Sequence, residues 1–80
     1  MYEGISSVAL DSRAQSAGPL TTRQLEILVL LADGVRAHEI SKRLGLSETT
    51  VRNHIRAILR RLDCHSQLEA VAFARRAGLI

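Results

Sequence analysis

From Leu20 to the end of the chain, apolar residues recur three and four positions apart, broken at intervals by residues that start or stop helices. Thr21 and Gln24 form the S/T-x-x-E/Q pattern of a capping box, with Leu20 and Leu25 flanking it as a hydrophobic staple. Leu25, Leu28 and Leu31, with Ile27 and Ala32, predict one buried stripe on the helix that follows, and Gly34 predicts its left-handed stop. A second, short helix is expected over roughly Ala37–Leu44, where Ile40 and Leu44 share a face; neither Val35 nor Arg36 is a good cap for it. Gly45 allows a tight reversal, and Ser47 caps a long third helix reaching Leu62 or Asp63, with Leu46 and Val51 as its staple. Ser66 and Glu69 make another capping box for a fourth helix, roughly Gln67 to Ala77. Residues 1–18 mix Ser, Ala, Gly and scattered charges without sustained periodicity, which predicts a flexible arm or linker.

Four short helices without a strand pattern predict an all-α, four-helix bundle over residues 19–80. A short helix, a Gly-containing turn and a longer helix make a helix-turn-helix, whose second helix can enter a major groove. On a wheel of about 100° per residue, Val51, Ile55, Ile58, Leu59 and Leu62 share one side of the third helix, while Arg52, Asn53, Arg56 and Arg60 lie about 130° away. The apolar side must pack inward, which turns the polar side to solvent. Outward Arg and Asn suit base edges: Arg matches the two acceptors of guanine, and Asn the donor and acceptor of adenine. Arg52, Asn53 and Arg56 are therefore the candidate base readers. Ser47, Thr49 and Thr50 set hydroxyls beside the backbone donors of a helix N-terminus, which suits phosphate. Lys42 and the Arg60–Arg61 pair are placed to clamp the flanking backbone. Each has a plainer role open to it: Ser47 is a cap in any case, and Arg60 and Arg61 equally suit a solubilising surface.

Charge adds detail. The net charge is only +3, so placement matters more than size, and six basic residues and one acid, Glu48, fall between Lys42 and Leu62. Tyr2 and Phe73 are the only aromatic residues, which argues against single-strand binding by base stacking. The single cysteine, Cys64, permits no internal disulfide and suits a reducing, cytoplasmic setting. No apolar run is long enough to span a bilayer, and no secretory leader is visible, so no membrane association is expected. His38, His54 and His65 lack the pairing with a second Cys that a zinc site needs, so neither a metal nor another cofactor is expected. Cys64 and His65 are adjacent rather than facing, and no phosphate-binding glycine loop is present; an enzyme is not expected.

The segments LTTRQLEILVLLADG, HEISKRLGLSETTVRNHIRAILRRLD and SQLEAVAFARRAGLI, in this order and spacing, closely resemble the LuxR-type helix-turn-helix domain, the C-terminal output module of many bacterial regulators. The resemblance covers about three quarters of the chain, from Pro19 onward. It implies a transcriptional regulator that binds double-stranded DNA through the third helix and forms a homodimer on inverted half-sites through the fourth, with RNA polymerase as a further partner. By position it implies base contacts at Arg52, Asn53 and Arg56 and phosphate contacts at Thr50 and His54. Leu68, Val71, Ala74 and Arg75 are then the expected dimer surface. The pattern departs at Gln24, which keeps the capping box in place of Glu, at Arg36–His38, where the second helix loses its usual cap, and at Gln67, which replaces a common Arg. Sigma-factor region 4 has a similar arrangement, but VRNHIRAILRRL followed by a full fourth helix favours the LuxR type. A protein-interaction module docking through the Ala-rich fourth helix is the alternative from another class. Residues 1–18 are too few for an upstream receiver or sensory domain, so either an excised output domain or a stand-alone regulator is expected.

Overall fold

The computed structural model describes residues 20–80, and the arm expected over residues 1–18 lies outside them. Four helices follow one another: α1 (Thr22–Ala32), α2 (Ala37–Leu44), α3 (Glu48–Leu62) and α4 (Gln67–Arg76). No strand occurs among the described residues. The starts follow local chemistry. The Thr21 hydroxyl accepts from the Gln24 N–H and the Gln24 carboxamide oxygen accepts from the Thr21 N–H, both at 3.0 Å, completing the capping box. Arg36 precedes α2 with no side-chain cap, as its residue type implies. At α4 the box is altered. Ser66 Oγ accepts from the Glu69 N–H, but the Glu69 carboxylate reaches past Ser66 to the N–H of His65, at 2.8 Å.

All four described helices stop the same way. Val35, Leu46, Cys64 and Leu79 each donate a backbone N–H to the carbonyl five residues back, on Leu30, Ser41, Leu59 and Ala74. The residue before each donor, Gly34, Gly45, Asp63 and Gly78, has a positive φ. This is the Schellman closure, and the donor is apolar each time, so the chain turns back towards the core as the helix ends. At Gly45, with φ 68°, the closure compresses the helix-turn-helix connection to the three residues between Leu44 and Glu48. At α3 the left-handed place is taken by Asp63, with φ 55°.

The core collects Ile27 and Leu28 from α1, Ile40 from α2, Val51, Ile55, Ile58 and Leu62 from α3, Cys64, and Ala70, Phe73 and Ala74 from α4. Each fully buried aliphatic side chain contributes about 1.5–3 kcal/mol, and α3, with three of them (Val51, Ile58 and Leu62) and the nearly buried Ile55, is the central rod. The buried stripe of α1 runs through Gln24, Ile27 and Leu28, not through Leu25, which is 37% exposed. Gln24 can lie inside because its carboxamide oxygen already has a partner in the capping box. Leu31 and Ala32 are half-buried at the stripe's edges.

Ala74, expected on a dimer surface, is completely buried. On α4 the core stripe is Ala70–Phe73–Ala74, at i, i+3, i+4, and the opposite side carries exposed Leu68 and Arg75 with half-buried Val71 and Ala72. Leu68 is 80% exposed. The Arg75 guanidinium folds back to donate to the Ala32 carbonyl at 3.2 Å, fastening α4 to the C-terminal end of α1.

Candidate nucleic-acid interface

Burying Val51, Ile55, Ile58 and Leu62 fixes the rotation of α3 and therefore what it shows to solvent. Thr49, Arg52, Asn53, Arg56 and Arg60 are all exposed, and at about 100° per residue they fall within an arc of about 100°. From Arg52 to Arg56 the axial rise is about 6 Å at 1.5 Å per residue, roughly two base-pair steps. The three candidate base readers are thus brought together on one open face. Arg56 Nη1 donates to Asn53 Oδ1 at 3.1 Å, so two of them are already in register.

The candidate phosphate contacts divide. Ser47 Oγ accepts from the Thr50 N–H at 3.0 Å and donates to Thr50 Oγ1 at 2.9 Å, so its hydroxyl is spent on the cap. Thr50, half-buried, accepts that bond and keeps its own hydroxyl hydrogen to donate. Lys42 is exposed in the last turn of α2, and Arg60 is exposed near the far end of α3. His54 is half-buried and lies outside the arc, about 100° round the helix from Asn53 and beside the buried stripe.

Two participants have no signal in periodicity. Glu48, in the first turn of α3, accepts from Arg52 Nη2 through Oε2 and faces His38 Nδ1 of α2 through Oε1, at 3.2 Å. The Arg52 bond, and after it the bond from His38, holds the Glu48 carboxyl below its ordinary value of 4.5. Acidic character in a first helical turn is legible in sequence, whereas a partner ten residues away on another helix is not. Gln67 is the other: with Arg52 and Arg56 it lines a shallow cleft between α3 and the start of α4.

Among the described residues no cluster of His, Cys, Asp and Glu could hold a metal ion, and no helix is long and apolar enough to cross a membrane. An outward arc of Arg and Asn on the second helix of a tight helix-turn-helix, with basic residues at its flanks, is the arrangement of a DNA-binding domain.

Comparison with known proteins agrees. Residues 18–74 match the family of bacterial regulatory proteins, luxR family. The chain belongs to that family, a class of DNA-binding transcriptional regulators rather than of enzymes. It is 39% identical over 64 residues to the uncharacterized transcriptional regulatory protein YxjL of Bacillus subtilis, covering 80% of this chain and 29% of that protein. To the transcriptional regulatory protein DesR of the same organism it is 40% identical over 62 residues, covering 78% and 31%. To the uncharacterized response regulatory protein YgeK of Escherichia coli it is 43% identical over 83 residues, covering 98% and 56%. The chain thus spans under a third of the length of the first two relatives and just over half of the third.

Proposed function

We propose that this domain reads duplex DNA by laying α3 in the major groove, with Arg52, Asn53 and Arg56 on base edges. Lys42, Thr49, Thr50, His54 and Arg60, with the capped helix start at Ser47, take the flanking phosphates. The observation that carries this reading is the rotation of α3: its aliphatic stripe is buried, and its guanidinium and carboxamide groups share one open arc. Within a longer regulator the domain works in the cytoplasm as a homodimer on two half-sites, with RNA polymerase as a further partner. Support for pairing lies in the outer stripe of α4, where Leu68 and Arg75 are exposed and Val71 is half-buried between them. The relatives named as transcriptional regulatory proteins support the setting.

Selection of preferred duplexes from a randomised pool, followed by titration at several salt concentrations, tests the reading. Binding is expected to be salt-sensitive, with log K falling by about 0.9 per log salt for each phosphate neutralised. Arg52→Ala, Asn53→Ala and Arg56→Ala each relax preference at a defined base pair, by about 1–3 kcal/mol for a bidentate contact. Lys42→Ala weakens binding nearly uniformly across sequences and reduces the salt slope by about 1. Salt-insensitive binding, or unchanged base preference in all three α3 variants, overturns the proposal.

A further inference from the structure

A surface built to approach phosphates has an electrostatic reason to exclude carboxylates, yet Glu48 stands in the first turn of its central helix. Favourable interaction with the helix N-terminus accounts for an acid there, but not for where its oxygens go. One takes the guanidinium of Arg52 and the other faces the imidazole of His38, so the carboxylate bridges the candidate base reader and the neighbouring helix. We propose that Glu48 is a positioning residue that sets the base selectivity of Arg52, holding its guanidinium at the start of α3 before DNA arrives. This rests on the base-reading role of Arg52 proposed above.

The chemistry favours selectivity over affinity. A guanidinium presents five N–H donors, and the bond to Glu48 uses one, leaving others for the two acceptors of guanine. Holding the side chain beforehand removes an ordering cost equivalent to a factor of about two to twelve in the binding constant. The same anchor restrains Arg52 from swinging to the nearest phosphate, and the Glu48 charge repels the backbone whatever its sequence. Both effects lower binding to unrelated duplex while preserving binding to the matching one.

The test compares wild type, Glu48→Ala, Glu48→Gln, Arg52→Ala and the double variant Glu48→Ala/Arg52→Ala. The probes are the pool-selected duplex, its single-base-pair changes and a scrambled duplex, with thermal melting of each variant as the folding check. Glu48→Ala is expected to bind the scrambled duplex more tightly and to lose about two- to twelvefold discrimination at the base pair that Arg52→Ala identifies. Glu48→Gln, keeping an acceptor but not the charge, falls between. In the Arg52→Ala background, Glu48→Ala changes no preference. If Arg52→Ala abolishes a preference that Glu48→Ala leaves intact, the link is overturned while the role of Arg52 survives. A preference altered by Glu48→Ala in the Arg52→Ala background overturns it differently, making Glu48 a base reader in its own right. If Arg52→Ala itself leaves every preference intact, the role of Arg52 falls, and the link falls with it.

Discussion

Asp63 is the residue through which the end of the recognition helix can be tuned. It occupies the left-handed stop of α3, with φ 55° and ψ 46°, where the other three described helices use glycine. For a residue with a Cβ that conformation costs about 1–2 kcal/mol, and Asp sits near the lower end because its short polar side chain tolerates it. As the C-cap residue it also sets a negative charge at the negative end of the helix dipole, which costs about 0.3 kcal/mol or more when exposed. Replacing it with glycine removes both penalties but gives the unfolded chain more freedom, at about 0.4–1 kcal/mol. The balance for Asp63→Gly is a gain of about 0.5 kcal/mol, or about 2–4 °C in Tm for a domain of this size. Asp63→Asn, which relieves only the charge, is expected to gain a few tenths of a kcal/mol. Asp63→Ala keeps the Cβ and loses the polar group, and even with the charge relieved it destabilises by about 0.7 kcal/mol. Calorimetric melts of the four proteins at one pH are the assay. An Asp63→Ala variant as stable as wild type, or an Asp63→Gly variant that melts lower, refutes the reasoning.

Two further outcomes follow from other parts of the structure. Leu68→Glu places a charge on the outer stripe of α4 without touching the core, so it should abolish any two-to-one complex on a palindromic duplex while leaving binding to a single half-site unchanged; sedimentation with each duplex measures this. The Glu48 carboxyl is held below 4.5 in the folded protein, so its contribution to stability is present above that value and is lost as pH falls through the lowered folded value. Glu48→Gln should therefore flatten the dependence of urea midpoints on pH below about 4.5, and an unchanged acid limb counts against the bond to Arg52.

Much of the architecture is legible in the residues because its determinants are local. Thr21 with Gln24, Ser47 and Ser66 mark three helix starts through bonds spanning three residues, and Gly34 and Gly45 mark stops through a conformation that disfavours other side chains. The outward arc of α3 is legible for the same reason, since a strongly apolar opposite side leaves one rotation. What fails to show depends on neighbours distant in sequence. Leu25 and Ala74 are apolar residues at the edges of their stripes, and only the seating of α1 and α4 decides which edge is covered. Arg75 looks like an exposed cation near a helix end, while its partner carbonyl on Ala32 lies forty-three residues earlier. Glu48 reads as a helix-start acid until His38 is brought beside it by the three-residue turn.

The clasp between Arg75 and Ala32 has a geometric consequence. With the last helix fastened to the first and both packed on α3, the proposed pairing stripe and the proposed reading arc are carried on one packed unit. Two such pieces joined back to back would act as a fixed-gap caliper on the duplex. One added base pair turns the second half-site by about 34–36° about the DNA axis, and a jaw without slack could not follow it, so under the proposed pairing the spacer between half-sites would be as much a part of the recognised message as the bases themselves.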